Sequence, residues 1–185
     1  VAQAAHIPVH LGSLPLSVKS VIESCLPGDP MAEGDMVVVN DPFGGGTHLP
    51  DITLVAPVFV DGKLLFYVAN RAHHADIGGM SAGSMPVAET IFQEGLILPP
   101  AKLVRAGQIV PDLQRLILAN VRTPAERQGD FEAQIMANLT GCRRLIDLCR
   151  RYGTGQTAGY ARALMDHSET AMKQAIAEIH DGAYT

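Results

Sequence analysis

The stretch NDPFGGGTHLPDITLVAPVFVDGKLLFYVANRAHHAD, Asn40–Asp76, decides the predicted fold. Two apolar runs within it, Ile52–Val60 and Lys63–Ala69, are separated by the dipeptide Asp61-Gly62. This dipeptide favours a two-residue type I′ turn, whose twist matches that of paired strands. The two runs are therefore predicted to form an antiparallel β-hairpin.

The predicted hairpin brings polar residues that are distant in sequence to one end of two strands. With Val60 opposite Lys63, Asp51 lies opposite Ala72 and Pro50 opposite His73. Neighbouring strands lie about 4.8 Å apart, so side chains at this end can share one cation. The candidates at this end are His48, Asp51, His73, His74 and Asp76. Imidazole and carboxylate ligands favour Mn²⁺, Fe²⁺ or Zn²⁺ over Mg²⁺ or Ca²⁺.

The spacing leaves open which of the two adjacent histidines joins Asp51. Directly paired side chains lie on the same face of a sheet, so a regular ladder places Asp51 with Ala72 and hence with His74. A β-bulge, or the end of pairing, would redirect the strand and favour His73. The alternative to a metal site is an ordinary set of polar residues at a strand end.

Several linked motifs identify a family. NDPFGGGTHLPDITL, FVDGKL, VANRAHHADIGG and IFQEGL are followed by Asn120-Val-Arg122-Thr-Pro and by Gly129-Asp130. Together they resemble the hydantoinase B/oxoprolinase family over nearly all of the 185 residues. That family includes N-methylhydantoinase and caprolactamase B subunits, 5-oxoprolinase, and the alpha subunits of acetone and acetophenone carboxylases. Its members are much longer, so the resemblance implies that this chain is an internal part of such a subunit.

The resemblance also implies a ligand set. In the acetone carboxylase branch, Mn²⁺ is held by the His and Asp of an H-x-x-D element and by a His after the following hairpin. Matched residue by residue, these are His48, Asp51 and His73, so the resemblance selects His73. A further carboxylate, expected upstream of Val1, completes that site in the family. Mn²⁺ is the favoured ion, with Zn²⁺ and Fe²⁺ as alternatives.

Other candidate site residues flank the predicted hairpin. Glu94 is a candidate general acid or base, with a salt bridge or a helix cap as the alternative. His74 and Asp76 are further catalytic candidates beside the ligands. The loop before the strand lacks the G-K-[ST] ending of a P-loop, so its glycines favour close approach of the backbone to a substrate rather than an ATP site. The substrate-binding candidates are Asn40, Asp41, Gly45 and Gly46.

Composition indicates a globular, cytoplasmic protein that binds neither nucleic acid nor membranes. Hydrophobic residues make up 47% of the chain, the formal net charge is −5, and no basic cluster occurs. The apolar runs are strand-sized, and neither a start methionine nor a leader peptide is visible. Cys25, Cys142 and Cys149 form no C-x-x-C motif and are predicted to be reduced core residues.

The predicted fold class is α+β, in two regions. Residues 1–109 form a mixed α/β region with a small antiparallel sheet that carries the metal site, and residues 110–185 form a long antiparallel helical hairpin around Gly153. His6 and His10 are separated by Pro8, which excludes a helical ligand pair. They are interpreted as structural histidines, with an approach to the metal site as the alternative.

The resemblance implies ATP-dependent hydrolytic ring opening of a hydantoin, 5-oxoproline or a lactam. An A-type partner subunit binds ATP and activates the amide oxygen, so a hetero-oligomer is expected, and the isolated chain is expected to be inactive. One alternative is the alpha-subunit part of an ATP-dependent ketone carboxylase. Another is a non-catalytic structural or assembly module whose helical hairpin docks the partner subunit.

Overall fold

The chain has the α+β fold that the sequence predicts, with an antiparallel sheet followed by long helices. The computed structural model describes residues 10, 12–25, 28–83 and 86–182. The elements are α1 (Leu14–Cys25), β1 (Met36–Val39), β2 (Asp51–Val60), β3 (Lys63–His73), β4 (Ala101–Arg105), β5 (Gln108–Ile109), α2 (Pro111–Ala119), α3 (Pro124–Tyr152) and α4 (Thr154–Ala177). Two short 3₁₀ helices span Pro42–Gly44 and Ile91–Gln93.

Five strands form a single antiparallel sheet in the order β3-β2-β1-β4-β5. Strand β2 reads DITLVAPVFV and is buried at every position except Phe59, as expected for a strand covered on both faces. One face packs Ile52 and Leu54 against Ile117 of α2 and Phe131 of α3. On the other face, strand residues such as Val55 pack against Val21 of α1. The start of β2 thus lies between two helical layers.

The register predicted for the hairpin is wrong over most of its length. Val60 does pair with Lys63, but the register shifts between Val58 and Phe59, where Leu65 is an extra residue on β3. This β-bulge advances β3 by one position, so that Asp51 pairs directly with His73 rather than with Ala72. Paired residues share a face, so the bulge places His73 beside Asp51.

The helical region begins with α2 and α3, each with a proline at its first position, where the missing N–H costs no hydrogen bond. Helix α3 has 29 residues, and Gly153, with φ 85°, joins it to the 24 residues of α4. Two compact units meet within α3, one ending at Arg144 and the other beginning at Leu145. The division into residues 1–109 and 110–185 stays a prediction.

The remaining sequence expectations have mixed outcomes. Cys142 and Cys149 are free thiols, the first partly buried and the second buried, whereas the side chain of Cys25 lies outside the description. His6 also lies outside the described residues. Within the described ranges, no helix combines the length and the apolar character needed to cross a membrane.

Candidate metal centre

Three residues that are far apart in sequence meet at the open end of the β2–β3 hairpin. His48 belongs to the turn that leads into β2, Asp51 is the first residue of β2, and His73 is the last residue of β3. Each offers one ligand atom, and these atoms all lie within 4.8 Å of one another. The turn is closed by the backbone N–H of Asp51, which donates to the carbonyl of His48 at 3.0 Å. The hairpin therefore assembles the predicted two-histidine, one-carboxylate set.

The Asp51 carboxylate is fully buried, and its two oxygens are unequally satisfied. The Thr47 hydroxyl donates to Oδ2. His48 Nδ1 lies 2.7 Å from the same oxygen, and His10 Nδ1 lies 3.5 Å from it. Oδ1 accepts no hydrogen bond from any residue that the structure describes. A buried carboxylate oxygen without a partner is unfavourable, and a bound cation would compensate it, so the donors fit a divalent metal.

The two imidazoles form the solvent-facing side of the centre. The rings of His48 and His73 have centroids 4.9 Å apart at an interplanar angle of 54°. His48 is partly buried, whereas His73 is exposed. Within the described part of the chain, the centre is thus closed on the carboxylate side and exposed on the imidazole side.

Arg71 lies next to the centre on the same face of the hairpin, directly opposite Thr53. Its Nε donates to Thr53 Oγ1 at 2.8 Å, and its terminal nitrogens donate to the hydroxyls of Ser13 and Ser17 at 2.6 and 2.7 Å. Burial lowers the pKa of Arg71, and the negative charge of Asp51 partly offsets this effect. Arg71 thereby ties the two strands to the start of α1.

The glycine-rich loop has a structural reason for its composition. A Cβ on Gly45, whose φ is 92°, would lie 2.4 Å from the backbone nitrogen of Ser17. A Cβ on Gly46 would lie 2.7 Å from the carbonyl oxygen of Asp41. That carbonyl accepts hydrogen bonds from the backbone nitrogens of Gly44 and Gly46. The glycines allow the loop to fold tightly and to pack against α1, because any side chain would collide with backbone atoms.

Asn40 braces the loop from inside the sheet. Its Nδ2 donates to the carbonyls of Leu49 and Leu96, and its Oδ1 accepts from the backbone nitrogen of Leu98. All three side-chain hydrogen bonds are therefore made to backbone. The direct contact with a substrate that the sequence suggests for Asn40 stays a prediction. Asp41 also caps locally, since its Oδ1 accepts from the backbone nitrogen of Phe43 at 2.9 Å.

His74 points away from the centre into a buried polar network beneath α3. Its Nε2 lies 2.9 Å from Gln134 Oε1, and its ring lies against Phe131 with centroids 4.8 Å apart. Both N–H groups of the Gln134 amide are used, by the Ile52 carbonyl and by Asn70 Oδ1. His74 Nε2 is therefore the donor to Gln134. Burial lowers the pKa of His74 despite this hydrogen bond, so the neutral ring is favoured.

Asp76 is the best satisfied carboxylate near the hairpin end. Its oxygens accept from the backbone nitrogens of Gly78 and Arg122 and from Arg122 Nη1. Arg122 Nη2 also donates to the Gly79 carbonyl at 2.8 Å. Burial opposes the ionised form, but these hydrogen bonds and the guanidinium outweigh it and hold the pKa of Asp76 below its ordinary value. This ion pair joins the loop after β3 to the segment before α3.

Glu94 follows the second 3₁₀ helix and is partly buried. Gly79 packs closely against its backbone, since a Cβ there would lie 2.6 Å from the Glu94 carbonyl carbon. The carboxylate makes no hydrogen bond or ion pair with the described part of the chain, and the cluster of ligand atoms does not include it. The catalytic role predicted for Glu94 stays a prediction.

Sequence reasoning missed several residues around the centre. Thr47 immediately precedes the H-x-x-D element, so its place in the sequence could have marked it as a neighbour of the metal site. Gln134 and Asn138 lie four residues apart within the apolar stripe of α3, which is the pattern of polar side chains that enter a core together. Arg71 and Ser13 gave no local signal, because they meet across 58 residues of sequence.

The chain belongs to the Hydantoinase B/oxoprolinase family, whose profile matches residues 1–185. Among its relatives, the beta subunit of caprolactamase from Pseudomonas jessenii is 39% identical over 186 residues, covering 100% of this chain and 32% of that protein. The 5-oxoprolinase of Dictyostelium discoideum is 36% identical over 180 residues, covering 97% of this chain and 14% of the enzyme. The chain thus spans a third or less of the length of these relatives.

Two solved structures share the fold. The crystal structure of ATP-dependent caprolactamase from Pseudomonas jessenii matches with a TM-score of 0.85 at 40% identity, covering 95% of this chain and 30% of that chain. Nucleotide-free acetone carboxylase matches with a TM-score of 0.73 at 21% identity, covering 79% of this chain and 19% of that chain. The second likeness concerns the fold alone.

Proposed function

We propose that this chain is the metal-bearing part of a hydantoinase B-type subunit that hydrolyses a cyclic amide or imide in an ATP-dependent reaction. The convergence of His48, Asp51 and His73 around an unpartnered buried oxygen carries the proposal. Relatives named caprolactamase subunit beta and 5-oxoprolinase support the substrate class: hydantoin, 5-oxoproline or a lactam. A separate A-type subunit supplies the ATP site, and the two form a hetero-oligomer.

The chemistry follows from the inertness of an unstrained amide, which must be activated before water attacks it. His48, Asp51 and His73 would hold a divalent cation, which would supply a Lewis acid to polarise the substrate oxygen or to lower the pKa of a water molecule. Asp51 contributes negative charge from a buried position, where electrostatic attraction is stronger than in water. The exposed side of His73 leaves room for the substrate.

Proton transfer is assigned to Glu94. Its carboxylate has no partner among the described residues and is therefore available to accept a proton from water or to deliver one to the leaving nitrogen. His74 supports the reaction by fixing the strand end that carries His73, through Gln134, whereas Asp76 anchors the loop after β3 through Arg122. Mn²⁺ is the proposed ion, with Zn²⁺ and Fe²⁺ as alternatives.

The test combines metal analysis with turnover of the natural polypeptide and its A-type partner. His48→Ala is expected to lose the metal and the ATP-dependent hydrolysis of 5-oxoproline, hydantoin or caprolactam, with an unchanged circular dichroism spectrum. His167→Ala, which changes an exposed histidine on α4, is the matched control. Normal metal content in His48→Ala would refute the ligand assignment.

The assay also separates the alternatives. Bicarbonate and acetone are supplied in a parallel reaction, and ATP-dependent acetoacetate formation without ring opening would indicate a ketone carboxylase. Failure of the purified protein to bind Mn²⁺ or Zn²⁺ would favour the remaining alternative, a non-catalytic assembly module. The 185-residue chain alone is expected to bind metal without turnover.

A further inference from the structure

One histidine beside the centre is not part of the ligand cluster. His10 Nδ1 is buried, lies 3.5 Å from Asp51 Oδ2, and makes no hydrogen bond within the described residues. The mutually close ligand atoms come only from His48, Asp51 and His73. His10 therefore lies beside Asp51 without belonging to the set of ligand atoms. From this position it can contact the carboxylate rather than the ion.

The position of His10 is fixed by its backbone. The carbonyl of His10 accepts hydrogen bonds from both the backbone nitrogen and the hydroxyl of Ser13, each at 3.2 Å. Ser13 immediately precedes α1, and its carbonyl accepts a hydrogen bond from the backbone nitrogen of Ser17 at 3.1 Å. The imidazole thus projects from a short turn that is anchored to the first turn of a helix.

Arg71 connects this turn to the hairpin. Its Nη1 donates to the Ser13 hydroxyl at 2.6 Å, while its Nε donates to Thr53, two residues along β2 from Asp51. A closed path therefore runs from Asp51 through Thr53, Arg71 and Ser13 to His10 and back to the Asp51 carboxylate. Such a ring of contacts holds the imidazole and the carboxylate at a defined separation.

We propose that His10 is a positioning residue of the metal centre, held by Ser13 and Arg71. Its Nδ1, which lies 3.5 Å from Asp51 Oδ2 in this structure, donates to that oxygen when Asp51 binds the ion through Oδ1. This inference rests on the proposed metal site. Carboxylates that bind metals are commonly held by such partners, and removal of a partner typically weakens metal binding about 10- to 100-fold. The Thr47 hydroxyl acts on the same oxygen.

The decisive experiment is a Mn²⁺ titration of the metal-free natural polypeptide by calorimetry. His10→Ala is expected to raise the Kd about 10- to 100-fold without changing the stoichiometry. His10→Asn keeps an N–H donor, because the amide nitrogen of asparagine is bonded to Cγ just as Nδ1 is in histidine. It is expected to bring the Kd back to within about threefold of the unmodified protein. The melting temperature of each metal-free variant reports its folding, and His167→Ala is the matched control.

The role of Arg71 is tested by a double-mutant cycle. Arg71→Lys cannot reach all its acceptors and is expected to weaken Mn²⁺ binding by up to about tenfold. Combined with His10→Ala, it is expected to add little, because both changes break the same path. Arg115→Lys changes an exposed ion pair with Asp112 on α2 and is expected to leave the Kd unchanged.

Two results would overturn the inference. A Kd for His10→Ala within about twofold of the unmodified protein would show that the imidazole does not act on the centre. If His10→Asn raised the Kd as much as His10→Ala does, His10 would not act by donating a hydrogen bond to Asp51. The proposed metal site is tested separately, because His48→Ala abolishes binding if that site is real, whatever His10 does.

Discussion

Two buried carboxylates, Asp51 at the start of β2 and Asp76 shortly after β3, differ in their hydrogen-bond partners. Asp76 accepts from two backbone nitrogens and a guanidinium. Asp51 has a hydroxyl and two imidazoles near one oxygen, while its other oxygen accepts nothing from the described residues. Both side chains are almost completely removed from water.

This difference separates a structural carboxylate from a functional one. Burying a charge is tolerated when hydrogen bonds and an opposite charge replace water, as they do at Asp76. The incomplete set of partners at Asp51 leaves the same requirement unmet, and the proposed cation would meet it. Substitutions at the two positions should therefore have opposite consequences for metal binding and for stability.

The largest expected effect is the loss of metal from Asp51→Asn. Structural Zn²⁺ sites contribute about 10–16 kcal/mol shared among four ligands, so loss of one ligand is expected to weaken binding by about 2.5–4 kcal/mol, or roughly 70- to 900-fold. The metal-free variant should be at least as stable as the unmodified protein, since a neutral amide replaces a buried charge. Titration with Mn²⁺ and chemical denaturation measure the two quantities. A marked loss of stability with normal metal binding would contradict the assignment of Asp51 as a metal ligand.

Asp76→Asn should show the opposite pattern. The substitution removes the charge that Arg122 and two backbone nitrogens recognise, at a cost of about 1–3 kcal/mol in the free energy of unfolding. Metal affinity should remain within about threefold of that of the unmodified protein, because the site residues are untouched. Urea denaturation of the metal-free protein measures the first value. Unchanged stability would show that the ion pair is dispensable.

The smallest expected effect is a change in the pH dependence of stability. The folded-state pKa of Asp76 lies below its ordinary value of 3.8. The stability that it contributes is therefore fully present above pH 3.8 and is lost as the pH falls through the lower, folded-state pKa. Asp76→Asn lacks this contribution, so its stability should fall less steeply with acid than that of the unmodified protein. Identical slopes in denaturation series below pH 4 would contradict the assignment.

Local patterns predicted the hairpin and its cluster of polar residues. Asp61 and Gly62 adopt positive φ values of 51° and 75°, as a type I′ turn requires. The bulge was not predictable, because Leu64 and Leu65 are both apolar and nothing in their sequence marks one of them as extra. Parity alone therefore favoured His74, whereas the family resemblance selected His73, which the structure places opposite Asp51.

Long-range polar contacts explain the rest of what sequence reasoning missed. Gln134 reaches Ile52 and Asn70 across 82 and 64 residues, and Arg71 reaches Ser13 across 58. No periodicity in a single element specifies such partners, since they depend on how α1 and α3 pack on the sheet. Asn40 likewise reaches Leu96 and Leu98 across 56 and 58 residues, and its predicted contact with a substrate stays a prediction.

The proposed metal site can be observed by anomalous diffraction from crystals of the natural polypeptide grown with Mn²⁺. We expect one strong peak at the open end of the hairpin, in contact with His48, Asp51 and His73, and no ion at Asp76. A peak that excludes Asp51, or an ion held elsewhere in the chain while these three side chains stay free, would contradict it.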